Sequence, residues 1–214
     1  MSKYQAVLFD LDGTLLDTSE GILSSIKYTI GVMGFEPIDD DYFETFIGPP
    51  IQHTLQRIYH LDDATRDKAA AIFREHYSTV DLCKAKLYDG VLETLSELKQ
   101  KGIKIAVATY KREDYTTKLL DEFGISPYCD WIQGSDFAGK LTKADIIELC
   151  LQKLSVDKSK VLMVGDTEHD LIGAKNAGVD FLAIRYGFGF NNIVNDDQCI
   201  GYIYAFEGIK QFIY

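Results

Sequence analysis

The segment YQAVLFDLDGTLLDT, residues 4–18, decides how the rest of the chain is read. Its apolar run from Ala6 to Phe9 is short enough for a buried strand and is followed at once by turn chemistry. Two carboxylates, Asp10 and Asp12, then stand two residues apart, with Gly13 and Thr14 behind them. Like charges this close repel, so a fold that keeps them at a strand end has a cation or a reaction to use them.

Outward from this segment the period changes. Ile22, Ile26 and Ile30 recur every four residues, Met33 extends the stripe and Gly34 stops it, which predicts an amphipathic helix over 19–33. Residues 35–86 read as mostly helical, with a break at GPP, 48–50. Beyond Lys86 helix and strand alternate. Strands are expected at 104–109, 130–135, 160–166 and 180–187, and helices at 89–102, 112–124, 142–154 with Thr142 as N-cap, and 169–178. One more strand and a short helix close the chain. Repeated strand–helix units imply an α/β fold, a doubly wound, mostly parallel, Rossmann-like sheet covered on both faces. The helical stretch interrupts this pattern just after the first strand. It is expected to be an inserted α-helical cap, 17–86, on a core of 1–16 and 87–214.

Ligands of such sheets bind at the carboxyl ends of the strands. The first strand ends at Asp10 and Asp12, the second at Thr109 in VATYK, and the fourth at Asp166 in MVGDTEHD, with Asp170 four residues on. Four carboxylates and a hydroxyl thus converge on one edge. They cannot all stay ionised without a cation, and oxygen ligands favour a hard ion, Mg²⁺ with retained waters.

Composition narrows the function classes. The 214 residues are 46% hydrophobic and 26% charged, with a formal net charge of −11. That surface disfavours nucleic acid and anionic membranes as partners, while a locally positive site can still take a small anion. Cys83, Cys129, Cys150 and Cys199 form no CxxC pair, which favours free thiols in a reducing, cytoplasmic setting. The N-terminal apolar run is too short for a signal peptide or a membrane span.

DLDGTLLDT, the Thr109 strand end, Lys143 and GDTEHD together resemble the four motifs of the haloacid dehalogenase-like hydrolase superfamily, in order and across essentially the whole chain. FIGPP and GDTEHDLIGAKNAG look most like phosphoglycolate phosphatase-like and 5′-nucleotidase-like members. The resemblance implies that Asp10 is a nucleophile that forms an aspartyl-phosphate, and that Asp12 is the acid and base that serves the leaving group and then the water. It implies that Thr109 and Lys143 bind the substrate phosphate. Asp10, the backbone carbonyl of Asp12, and Asp166 would bind Mg²⁺, with Asp170 as a further ligand or an orienter of the shell. The substrate class is a small phosphorylated metabolite, phosphoglycolate, a nucleoside monophosphate or another sugar phosphate.

Two positions depart from the pattern or are ambiguous. Tyr110 stands where a small or amide residue is usual, and either packs or narrows the entrance. Lys140 lies three residues before Lys143, which is preferred because it opens a helix. Rival readings are weaker. A haloacid dehalogenase needs neither Asp12 nor a metal. A phosphomutase wants a second phosphate grip, and the basic residues of 17–86 form none. A silent scaffold does not require every candidate group to be present. His169 reads as a solvated surface residue and YGFGF, 186–190, as a glycine-rich turn. Glu20 and the GPP break are balanced between substrate contact and plain helix-end and turn roles.

Overall fold

A computed structural model of the chain describes residues 2–38, 51–137, 139–190 and 197–214. Two compact units emerge, Met1–Asp17 with Leu87–Tyr214, and Thr18–Lys86. The GPP break at 48–50 lies outside the described residues.

The larger unit is built on β1 (Ala6–Phe9), which is fully buried along its length. A short β2 (Leu16–Asp17) follows, and β3 (Lys86–Leu87) leads back into the core. Then come α4 (Val91–Gln100), β4 (Lys104–Arg112), α5 (Glu113–Glu122), β5 (Trp131–Ser135), α6 (Lys143–Leu154), β6 (Val161–Gly165), α7 (Glu168–Ala177), β7 (Asp180–Ile184), β8 (Cys199–Ile203) and α8 (Lys210–Ile213). The main sheet runs β5-β4-β1-β6-β7-β8. Every pairing in it is parallel. Ala6 and Leu8 face a layer that includes Ile146, Ile147 and Ala174 of α6 and α7. Phe9, of opposite parity, meets Phe206 at 5.3 Å between ring centroids. Both faces of β1 are therefore covered, which is why its sequence is an unbroken apolar run rather than an alternation.

The chain starts in the middle of the sheet, builds outward to β5, then returns to the other side of β1 with β6. That reversal is the topological switch point, where the loops after β1 and β6 separate from their neighbours and leave a crevice. Phe9 pairs with both Val107 and Val164, and the Asp10 amide donates to the Val164 carbonyl at 2.9 Å. Asp10 is thus tied to the β6 end as well as to its own strand.

The smaller unit contains α1 (Ser19–Met33), α2 (Ile51–Tyr59), α3 (Asp63–His76) and a π-helical turn, Tyr77–Asp81. Gly34 ends α1 in the left-handed region, φ 67°, as a glycine can. Asp62 caps α3 by accepting from the Thr65 amide at 2.7 Å. A buried Asp81 accepts from the Ser25 hydroxyl and forms an ion pair with Lys84, both at 2.8 Å.

The largest boundary differences from the sequence expectation are in two strands, β7, which ends at Ile184 and not at 187, and β4. β4 does not end at Thr109 but continues to Arg112. The register explains the excess. Ala108 opposes Gln133 and Arg112 opposes Ser135, so β4 carries two more residues than β5 over this span. A bulge at 109–111 absorbs them, and bulges re-aim side chains.

Candidate active site

Asp10 leaves the buried end of β1 with only 7% of its surface exposed. Asp166 follows β6 and is fully buried, and Asp170 lies in the first turn of α7 at 1% exposure. One carboxylate oxygen from each lies within 4.8 Å of the other two. Lys143, the first residue of α6, inserts its ammonium among them. Its Nζ lies 2.7 Å from Asp10 Oδ1 and 2.6 Å from Asp170 Oδ1. Lys143 is buried whereas Lys140 is exposed, so Lys143 is the lysine at this cluster.

The loops prepare these positions locally. Thr142 caps α6 and exchanges hydrogen bonds with Asp145, whose carboxylate accepts from the Thr142 amide at 2.8 Å. Asp170 divides its two oxygens between two jobs. Oδ2 accepts from the amide and hydroxyl of Thr167 at 3.0 and 2.7 Å, closing the N-terminus of α7. Oδ1 is buried and meets the Lys143 ammonium at 2.6 Å. Asp166 accepts from the Phe188 amide at 2.7 Å and the Thr14 hydroxyl at 3.2 Å. Gly13 makes the intervening turn at φ 77°, and a Cβ there would overlap the Asp166 carboxylate.

Burial is the first cause of the electrostatics. It pushes the Asp10 carboxyl up to about 6; Lys143 opposes the rise, while Asp170 and Asp12 add to it. Burial, then Asp170 and Asp10, raise Asp166 well above the ordinary carboxylate range. Burial works against the charge of Lys143, but Asp10 and Asp170 outweigh it and hold the ammonium above its usual value.

Asp12 stands apart from the three-carboxylate cluster. Its Oδ2 accepts from Lys111 Nζ at 2.9 Å, and both side chains are largely buried. Thr109, 1% exposed, accepts from the Lys111 amide at 3.2 Å. Tyr110 packs against the core, and its hydroxyl accepts from the Lys143 amide at 2.9 Å, which anchors the start of α6. His169 is exposed and meets the Tyr110 ring edge-on. The YGFGF turn does more than connect, because its Phe188 amide holds Asp166.

Sequence reasoning missed Lys111, Phe188 and Gly173. Lys111 carried no usable signal: the strand was expected to end at Thr109, and the bulge at 109–111 breaks the alternation that would assign Lys111 a face. Gly173 carried none. It lies in α7, and a Cβ there would come within 2.5 Å of Lys143 Cγ. An open groove of about 950 Å³ along α5, reaching Phe137, shares no residue with this cluster.

The profile of haloacid dehalogenase-like hydrolases matches residues 7–184, from β1 through β7. The chain belongs to that family. It is 31% identical over 212 residues to a 5′-nucleotidase of Pseudomonas aeruginosa, covering 99% of this chain and 96% of that protein. It is 33% identical to a phosphoglycolate phosphatase of Aquifex aeolicus, covering 86% of each. It is also 33% identical to the tyrosine-protein kinase PtkA of Mycobacterium tuberculosis, covering 86% of this chain but 63% of that protein. A solved haloacid dehalogenase-like family hydrolase of Streptococcus pneumoniae superposes with a TM-score of 0.90 at 27% identity, covering 98% of each chain. As a haloacid dehalogenase-like hydrolase with phosphatase relatives, the chain is a phosphatase. No helix among the described residues is long and apolar enough to cross a membrane.

Formally the site of this haloacid dehalogenase-like hydrolase sets four carboxylates, Asp10, Asp12, Asp166 and Asp170, against two lysines, Lys111 and Lys143. The oxygen-only donor set of buried carboxylates, Asp10, Asp166 and Asp170, fits a hard divalent ion.

Proposed function

We propose that this chain is a Mg²⁺-dependent phosphatase of small phosphate monoesters that works through an aspartyl-phosphate, with phosphoglycolate as the first substrate to test. The observation that carries the reading is the placement of Lys143 between Asp10 and Asp170, beside Asp166. A buried nucleophile, a buried cation and an acidic metal cradle meet at a switch point, as phosphoryl transfer requires.

Asp10, Asp166 and Asp170, with the backbone carbonyl of Asp12, would hold Mg²⁺, which supplies charge neutralisation toward an anionic phosphate. The remaining work belongs to the chain. An Asp10 oxygen forms a bond to phosphorus as the bond to the leaving oxygen breaks. Asp12 gives its proton to that oxygen, and an alcohol departs. Water then attacks the phosphorus, its proton passes to Asp12, and inorganic phosphate leaves with Asp10 restored. Such acid–base assistance contributes about 10²–10⁴ in rate. Lys143 and Thr109 bind the non-bridging oxygens, the lysine opposing the charge that builds there. The helical insertion, read from the sequence as a cap over 17–86, is by resemblance the part that restricts such enzymes to small substrates.

The test is hydrolysis of p-nitrophenyl phosphate with Mg²⁺ and with EDTA, followed by phosphorylated metabolites ranked by kcat/KM. Activity that needs Mg²⁺ and is abolished in Asp10→Asn is expected. Inactivity on every phosphoester would overturn the reading. The near full-length match to a 5′-nucleotidase keeps nucleoside 5′-monophosphates as the second substrate class in that panel.

A further inference from the structure

We propose that Lys111 is a positioning residue for Asp12, holding the acid–base carboxylate in place for proton transfer to the leaving oxygen; this rests on the phosphatase reading above. The site contains two separate lysine–carboxylate sets. Lys143 serves Asp10 and Asp170, whereas Lys111 meets Asp12, ninety-nine positions earlier in the chain, at 2.9 Å. The Lys111 side chain is 6% exposed and that of Asp12 15%. Burying a lysine this far is costly unless a partner and a purpose hold it there.

The bulge at 109–111 provides the geometry. In these three residues the Tyr110 hydroxyl receives the Lys143 amide, the Thr109 hydroxyl receives the Lys111 amide, and Lys111 reaches Asp12. The extra residues in β4 thereby point neighbouring side chains at both lysine–carboxylate sets. Lys111 donates to one oxygen of the Asp12 carboxylate, on the turn after β1, at 2.9 Å. That contact restrains the direction in which the carboxylate points. Catalytic geometry is unforgiving, and a displacement of about 1 Å can cost about 10² in rate.

The leaving group separates this role from a merely structural one. p-Nitrophenolate departs with little help, whereas an alkoxide needs the proton from Asp12. kcat/KM, which reports steps through aspartyl-phosphate formation, is measured for p-nitrophenyl phosphate and for the alkyl phosphate the wild type hydrolyses fastest. Lys111→Met is expected to lower the alkyl value about 10²-fold and the aryl value less than about 10-fold. Lys111→Arg keeps a charged donor and should hold the alkyl-to-aryl ratio within a few-fold of wild type. In an Asp12→Asn background, Lys111→Met should not change the ratio further. Thermal melting of each variant reports folding separately. Equal losses on both esters in Lys111→Met, no loss, or a further ratio change in the Asp12→Asn background overturns the proposal. A wild type that hydrolyses the aryl ester but no alkyl ester does so as well. These outcomes leave the phosphatase reading standing. A wild type inert toward both esters removes that reading and this proposal together.

Discussion

Asp10→Asn should change how the stability of the metal-free protein depends on pH, by an amount the burial of the site sets. In the folded chain burial drives the Asp10 carboxyl from 3.8 to about 6, against the pull of Lys143. The folded state therefore binds a proton that the unfolded chain has already released. The stabilising contribution of Asp10 is complete below pH 3.8 and is lost as pH rises through about 6. At about 1.36 kcal/mol per pH unit, the interval corresponds to roughly 3 kcal/mol as a ceiling. For a chain of this size that is about 6–12 °C in melting temperature. Asparagine has the same shape and does not titrate. Circular dichroism melts of both chains in EDTA, from about pH 4.5 to 8, supply the test. Groups distant from the site cancel in the difference, whereas Asp166, which Asp10 helps to raise, is lowered in the variant and so adds to the change in the same direction. The variant should gain on the wild type as pH rises and be the more stable of the two at its upper end. Parallel curves, or a wild type that gains with pH, would refute the assignment of Asp10 as a carboxylate held ionised at a cost.

Three further outcomes follow from the same geometry. Mg²⁺ should raise the wild-type melting temperature, by the equivalent of about 2.7 kcal/mol at a hundredfold excess over Kd, and Asp166→Asn should abolish most of that rise. Gly173→Ala places a methyl against the Lys143 stem, so a loss of roughly 1–3 kcal/mol in a denaturant titration and a fall in kcat are expected. Thr142→Ala removes the cap of α6 and should cost about 1 kcal/mol by the same measurement, with Thr142→Ser restoring most of it.

The reach of sequence reasoning follows the range of the interactions. Ile22, Ile26 and Ile30 followed by Gly34 located α1 because helix periodicity and the left-handed stop are local. Thr142 was legible as a cap for the same reason, and strand–helix alternation was enough for a parallel sheet. The bulge in β4 was hidden because it is a mismatch against β5, some twenty residues away. Tyr110 had two readings until Lys143 was seen to donate to it.

By itself the sequence determined the residue types and their order: carboxylates after β1 and β6, a hydroxyl in β4, a lysine opening α6. The carboxylates and the hydroxyl follow from local patterning and from the rule that parallel strands present one edge, and the lysine from the family resemblance together with its place at a helix start. Only the tertiary structure decided who pairs with whom. Asp10 and Asp12 are near neighbours on the chain, yet Lys143 takes one and Lys111 the other. That partition comes from strand register, a bulge and the close approach of α6 to α7 at Gly173, which are contacts between segments and leave no periodic trace in either one.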